Sequence, residues 1–302
     1  MSRIQDILSK AERDGTAHRT RALSENPAIA ASVAPPPVAP APSPRMQQPQ
    51  VFDTSAPWNA GATAPAFEPA TLTTMTPVLD RRLIAAITPQ APAAERYRLL
   101  RTRIKRAENG RTIRAIIVTS PAKGDGKSLT AANLALTMAQ EFHQRVLLLD
   151  CDLRRPSVAS MFGLSEAPGL SEVLMGAADV DSALVHLPDQ HLTVMQAGTP
   201  AVQPAELLGS AAMRRLLDGL RTRFDRILID MPPVAPLADV HVVSPIADGL
   251  LMVVRAGITP KPAIERALSG LDMGKVLGLV LNGAGEGASD GYGDDGYGYI
   301  AG

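Results

Sequence analysis

The stretch Thr119-Ser120-Pro121-Ala122-Lys123-Gly124-Asp125-Gly126-Lys127-Ser128 stands between an apolar run (Ile113, Ala115, Ile116, Ile117, Val118) and a helix-forming run, Leu129 to Glu141. A strand, a glycine-bearing turn and a helix in that order are the setting of a phosphate-cradling loop. Gly124 and Gly126 lack a Cβ, so the backbone can turn sharply and bring its amide hydrogens against phosphate oxygens at the helix N-terminus, where the dipole is positive. Lys127 is then placed to reach the β- and γ-phosphates, and Ser128 to offer its hydroxyl to Mg²⁺. Gly-Lys-Ser alone arises by chance in many chains. The runs on either side make the reading specific against a plain strand-to-helix turn. The spacing departs from the common pattern, because Pro121 holds the place five residues before Gly126 where a glycine usually stands. That points away from an ordinary small GTPase.

Two further apolar runs end in acid. Val146 to Leu149 leads to Asp150, Cys151, Asp152, Leu153 and Arg154, and Ile227 to Ile229 leads to Asp230, Met231, Pro232 and Pro233. In an open parallel sheet, ligands sit beyond the carboxyl ends of the strands, so all three aspartates are expected to converge on the phosphate loop. Mg²⁺ prefers hard oxygen ligands and keeps several waters, which suits three carboxylates beside a triphosphate. Singly, each aspartate reads equally well as a strand-end cap or a partner of Arg154. Three of them behind two separate apolar runs, beside a phosphate loop behind a third, make a site. Strands are expected near Ala115, Leu148, Val194, Leu228, Leu251 and Leu279, with helical stretches between them. The fold class is α/β, a mostly parallel sheet covered by helices on both faces.

Composition sets outer bounds. A chain of 302 residues with 45% apolar content supports one good core, and its net charge of zero gives no whole-chain drive toward nucleic acid or an anionic membrane. The single cysteine, Cys151, excludes an internal disulfide and reads as a small packing residue. Runs such as Gly249 to Val254 are too short to cross a bilayer, and Met1 to Gly15 has no secretory core, so a cytoplasmic protein is expected.

Four segments follow from the patterning. Residues 1–23 carry Ile4, Ile7, Leu8 and Ala11 at the spacing of a short amphipathic helix. Residues 24–78 are rich in Ala and Pro and read as a largely extended, disordered linker. Residues 79–285 form the nucleotide-binding domain, whose first helix is expected from Pro92 to Arg106 with Glu95, Arg98 and Arg101 along one face. Residues 286–302 form a Gly-rich tail that holds three of the four tyrosines, Tyr292, Tyr297 and Tyr299. A Gly/Asp tail offers no core to receive their rings, which leaves them available to an active site.

These motifs, in this order, resemble the bacterial tyrosine kinases that accompany capsule and exopolysaccharide export, over roughly residues 79 to 302. The resemblance rests on TSPAKGDGKS, on Leu147 to Arg154 as Asp-x-Asp-x-Arg after apolar residues, and on Ile227 to Pro233. It extends to the Glu-x-x-Arg-x-x-Arg spacing of Glu95, Arg98 and Arg101, to Gly169–Gly176 and Ala197–Leu208, and to the tyrosine tail. It implies a P-loop NTPase of deviant Walker A type that uses ATP and Mg²⁺. Lys123, Gly124, Asp125, Gly126, Lys127, Ser128 and Leu129 would then surround the nucleotide, with Asn282 at the adenine, and Ser128, Asp150, Asp152 and Asp230 at the metal. It implies Lys127, Asp150 and Asp152 as catalytic residues, with Asp150 or Asp152 taking the phenol proton and Asp150 preferred. Tyr292, Tyr297 and Tyr299 would be phosphorylated by a neighbouring subunit, and Glu95, Arg98 and Arg101 would link subunits into a ring-like homo-oligomer.

The resemblance is to the split form of the family. It implies a separate membrane polysaccharide co-polymerase that activates the kinase and recruits it to the inner face of the cell membrane, and a tyrosine phosphatase that resets it. Septum-positioning and plasmid-partition ATPases of the wider class carry a second lysine five residues before the loop lysine. Here that position is Ala122, with Lys123 out of register by one. An ATP-driven assembly switch without phosphotransfer is the competing expectation. An iron–sulfur carrier of the same superfamily needs clustered cysteines, and one cysteine dismisses it.

Overall fold

In a computed structural model that describes residues 73–74, 78–141 and 144–284, the apolar runs assemble into one sheet of eight strands. These are β1 (Thr73–Thr74), β2 (Ala115–Thr119), β3 (Val146–Asp150), β4 (Val185–Leu187), β5 (Leu192–Met195), β6 (Arg226–Asp230), β7 (Gly249–Arg255) and β8 (Val276–Asn282). Their order across the sheet is β1-β4-β5-β3-β6-β2-β7-β8. Every neighbouring pair is parallel except β4 and β5. The helices are α1 (Ile84–Ile87), α2 (Pro92–Ala107), α3 (Lys127–Ala139), α4 (Val158–Phe162), α5 (Leu170–Leu174), α6 (Pro204–Leu208), α7 (Ala211–Arg223), α8 (Asp239–Val243) and α9 (Lys261–Ser269).

The central strands are buried on both faces, which is why they read as continuous apolar runs rather than alternating ones. Alternate residues feed two cores. Ile117, Leu147, Leu149, Ile227, Ile229, Leu250 and Met252 pack with Leu217 and Leu220 of α7 and Val240 of α8 on one side. Ile116, Val118, Leu148, Leu228, Leu251 and Val253 pack with Leu134 and Met138 of α3 and Ile104 of α2 on the other. Full burial of one such side chain contributes about 1.5–3 kcal/mol, so the sheet is the rigid part on which the site is mounted.

The P-loop NTPase architecture expected from the sequence is present, and six strands fall where the runs predict them. The structure adds β1 and β4, too short to show a pattern. β4 returns antiparallel on β5 through a tight turn at Pro188–Gln190 closed by His191 at positive φ. Among the described residues no helix is long and apolar enough to cross a membrane. The expected helix at 1–23, all of the linker except Thr73, Thr74 and Val78, and the tail tyrosines Tyr292, Tyr297 and Tyr299 lie outside the described residues.

Gly169–Gly176 and Ala197–Leu208 come together beside β5. Leu170 N donates to Gln196 O and Ser171 N to Ala197 O, at 2.8 and 2.9 Å. A Cβ on Gly169 would fall 2.3 Å from Gly198 N, so the close approach requires glycine. Glu172 fastens the joint, accepting from Gly169 N (2.8 Å) and Thr199 N (3.0 Å). Partial burial works to raise its pKa, but the hydrogen bonds from Thr199 and Gly169 outweigh it and hold the carboxyl at about 2. A depressed carboxylate contributes stability that is present above its unfolded pKa of about 4.5 and lost as pH falls toward 2. Glu172→Gln should therefore lower urea-unfolding stability at pH 7 and flatten its decline between pH 5 and 2. Parallel curves for the two proteins across that range would contradict the assignment.

Candidate nucleotide site

β2 delivers the phosphate loop to the carboxyl edge of the sheet, and Gly124 and Gly126 take it through left-handed conformations with φ of 90° and 95°. Asp125 folds back rather than outward. Its carboxylate is 2% exposed and accepts from Ala122 N at 2.9 Å and Thr259 Oγ1 at 2.7 Å. Asn282 Nδ2 donates to the Asp125 carbonyl at 2.9 Å, and Arg255 Nη1 donates to the Gly124 carbonyl at 3.2 Å. The loop is thus held from the ends of β7 and β8. Lys123 is exposed, while Leu129 packs into the core on the α2 and α3 side.

Lys127 opens α3 directly after Gly126. Its Nζ lies 2.8 Å from Asp152 Oδ2, 3.1 Å from Ser128 Oγ and 3.7 Å from Asp230 Oδ1. Burial alone would lower its pKa, but the charges of Asp230, Asp152 and Asp150 outweigh burial and raise it. Asp150 and Asp230 are paired across β3 and β6 and are fully buried. Burial raises both carboxyl pKa values. The charge of Asp230 raises Asp150 further, whereas Lys127 pulls Asp230 back.

The two buried aspartates differ in how their oxygens are used. Asp150 accepts from Asp152 N (3.0 Å), Ser157 N (3.2 Å) and Val158 N (3.1 Å), fixing the turn into α4. Neither carboxylate oxygen of Asp230 has a hydrogen-bond partner among the described residues. A buried carboxylate left this way is costly unless a cation meets it, and Lys127 at 3.7 Å meets it only in part. This orphaned pair of oxygens beside Ser128 and Asp152 fits a hard divalent cation. Among the described residues no group of three or more acidic, His or Cys side chains forms a self-sufficient metal cage. Mg²⁺ is a cation that completes its shell with waters and substrate phosphates.

Arg154 makes a two-point contact with buried Asp239 of α8, at 2.9 and 3.1 Å. The three strand-end aspartates are therefore not its partners. Arg98 bonds Glu95 at 2.7 Å and the Pro89 carbonyl at 2.7 Å, and Arg101 bonds the Thr137 carbonyl at the end of α3 at 2.8 Å. Sequence reasoning missed Arg255 and Thr259, although the first ends the parallel strand β7 and the second follows it, at the edge where ligands gather.

A glycine-bearing loop, a helix-opening lysine and strand-end carboxylates on this sheet define a phosphate-loop nucleotide-binding protein. A family model described as "ParA: NUBPL iron-transfer P-loop NTPase" matches residues 112–282. Tyrosine-protein kinase YwqD of Bacillus subtilis (strain 168) is 36% identical over 207 residues, 68% of this chain and 87% of that protein. The kinase domain of the Escherichia coli tyrosine kinase ETK superposes with a TM-score of 0.65 at 30% identity, covering 72% of this chain and 84% of that one. Succinoglycan biosynthesis transport protein ExoP of Rhizobium meliloti (strain 1021) is 33% identical over 199 residues, 64% of this chain, but the match spans only 25% of that protein. The chain belongs to the bacterial tyrosine kinase family within the ParA-type P-loop NTPases. The iron transfer named for the family model finds no thiolate cluster here, since the one cysteine, Cys151, is buried in the core.

Proposed function

We propose that this chain is an ATP-dependent protein tyrosine autokinase that transfers the γ-phosphate of ATP to tail tyrosines of a neighbouring subunit. The observation that carries the reading is the cluster beneath the loop, where Lys127 meets Asp152 at 2.8 Å beside the orphaned carboxylate of Asp230. Lys127 and the loop amides would hold the phosphates, and Ser128, Asp152 and Asp230 would hold Mg²⁺ directly or through water. The bound ion would supply neutralisation of the charge that spreads over the transferring phosphoryl group.

The phenol oxygen attacks the γ-phosphorus, the bond to the ADP oxygen breaks, and the phenol proton passes to Asp150. An ordinary phenol has a pKa of ~10 and needs such an acceptor. Asp150 suits the role because burial and Asp230 raise its pKa. Three of its roughly four lone-pair positions are taken by backbone amides, which leaves one for the proton. The fourth tyrosine, Tyr97, is half-buried on α2, and burial raises the pKa of its hydroxyl, so the proposed acceptors are the tyrosines of the tail.

The reading extends to partners. Exposed Glu95, with Arg98 and Arg101, is proposed to join subunits in a ring. A membrane co-polymerase is proposed to activate the kinase and recruit it to the inner face of the cell membrane for capsule or exopolysaccharide export. A phosphatase is proposed to reset it. An assembly switch without phosphotransfer is the second reading, favoured by the ParA description of the matching family model.

Incubation with γ-labelled ATP and Mg²⁺ separates the two. Label is expected on the tail and should be lost in Tyr292→Phe/Tyr297→Phe/Tyr299→Phe while ATP binding is retained. Free phosphate without labelled protein would establish the switch instead.

A further inference from the structure

The edge of the sheet opposite the nucleotide site carries a second cleft. It lies at the amino ends of β2, β7 and β8, encloses about 540 Å³, and is lined by residues including Arg111, Ile113, Arg214, Ile246, Asp248 and Lys275. Several of its charges are already used. Arg221 bonds Asp248 at 2.8 Å and the Ile246 carbonyl, and Lys275 Nζ is capped by the carbonyls of Ser244, Pro245 and Ala247 at 2.8–2.9 Å. Arg111 and Arg214 are different. Both are exposed, and neither guanidinium has a side-chain partner among the described residues. Two uncommitted guanidinium forks face a pocket with an apolar wall of Ile113, Pro245 and Ile246. That is the chemistry of a site for an aromatic ring bearing a phosphate.

We propose that this cleft receives the phosphorylated C-terminal tail of this chain, with the Tyr297 phosphate between Arg111 and Arg214. The proposal rests on the autokinase reading. The last basic residue is Lys275, and beyond it the chain carries Glu286, Asp290, Asp294 and Asp295 with no Lys, Arg or His. Tail and cleft are therefore complementary before any modification, and phosphorylation would add about −1.5 to −2 charges per tyrosine.

Reach disfavours Tyr292 and admits Tyr297, the first tyrosine with slack, and equally Tyr299. β8 runs for seven residues from the cleft edge to the loop edge, about 23 Å at 3.3 Å per residue. Tyr297 lies 13 residues past Ala284, enough extended chain for about 43 Å, so the tail can double back along β8 with slack. Tyr292, eight residues past Ala284, spans about 26 Å with almost none. A membrane surface is the less favoured occupant. The cleft is concave and of ligand size, which suits a single ring and phosphate rather than a flat surface. Docking would hold a phosphorylated tail away from the neighbouring nucleotide site until a phosphatase frees it.

The test uses full-length protein, treated with a tyrosine phosphatase and saturated with ADP and Mg²⁺. It is titrated into a labelled synthetic peptide of residues 286–302 phosphorylated at Tyr297, read by fluorescence anisotropy. The phosphopeptide should bind about tenfold more tightly than the unphosphorylated one. Arg111→Ala/Arg214→Ala should erase that difference without changing ATP hydrolysis or the melting temperature, and Arg111→Lys/Arg214→Lys should restore part of it. Undiminished phosphopeptide binding by the alanine variant, or equal binding of the two peptides, overturns the proposal. So does arginine-dependent sedimentation with phosphatidylglycerol vesicles that the phosphopeptide fails to compete. Because the phosphate is installed synthetically, failure of autophosphorylation beside tight peptide binding would remove the kinase reading and leave the docking site standing.

Discussion

Lys127→Met should reduce label transfer from ATP to the tail by about a thousandfold, the scale of losing a preorganised charged donor from a phosphoryl-transfer site. The loss has two origins. Lys127 opens α3, where the helix N-terminus would receive phosphates, and methionine replaces its stem but not its charge. The ammonium also sits between Asp152 at 2.8 Å and Asp230 at 3.7 Å, with its side chain only 13% exposed. Removing it leaves buried carboxylates facing one another, and breaking a buried pair from one side costs about 3 kcal/mol. Unliganded Lys127→Met should therefore also unfold at lower urea. Lys127→Arg separates the two effects: its guanidinium keeps a charge facing Asp152 and Asp230, so stability should fall less than in Lys127→Met, while the planar fork cannot reproduce the ammonium's point contact with the phosphates and transfer stays low. Parallel urea curves and single-turnover labelling of the three proteins give the result. A Lys127→Met rate within tenfold of the native one would remove the lysine from the chemistry.

That prediction draws on contacts the sequence shows unevenly. The phosphate loop and three aspartates are legible because a doubly buried strand writes itself as an unbroken apolar run. The residue ending such a run on a parallel sheet has one place to go. Asp152 and Asp230 thus reach Lys127, and Asp150 the same strand-end cluster, by topology alone. Side-chain partners are set by which elements approach in three dimensions, and local pattern does not encode that. Asp239 lies 85 positions from Arg154, and Thr259 lies 134 from Asp125, yet each pair is in hydrogen-bond contact. β4 has three residues, too few for periodicity to register, and its antiparallel pairing follows from the tight turn before β5. Asn282 is an instructive intermediate case. Its place at the end of β8 follows from the apolar run, but its amide lies against the phosphate loop and bonds the Asp125 carbonyl. The helix bearing Glu95, Arg98 and Arg101 is legible to within a residue. The contacts that Arg98 and Arg101 make with the Pro89 and Thr137 carbonyls are not, because both acceptors are backbone atoms without a sequence signature.

The position of Asn282 makes Gly126→Ala the second large effect. A Cβ at residue 126 would lie 2.0 Å from Asn282 Nδ2 and 3.2 Å from its Cγ. Something must move, and the movable part is the Asn282 amide, which then loses its bond to Asp125 O. The backbone adds its own penalty. A non-glycine residue at φ 95° is strained by about 1–3 kcal/mol, and relief of that strain would turn the amides of the loop away from the phosphates. ATP affinity should fall by about a hundredfold, the free-energy equivalent of roughly 3 kcal/mol, as measured by calorimetry with a non-hydrolysable analogue. Asn282→Ala alone removes one hydrogen bond and should cost affinity only a few-fold, on the order of 1 kcal/mol. The double variant Gly126→Ala/Asn282→Ala removes the clash but keeps the strain. It should bind ATP better than Gly126→Ala and worse than Asn282→Ala. If the double variant merely adds the two losses, the Asn282 amide is not what the new methyl strikes, and φ strain alone accounts for the glycine.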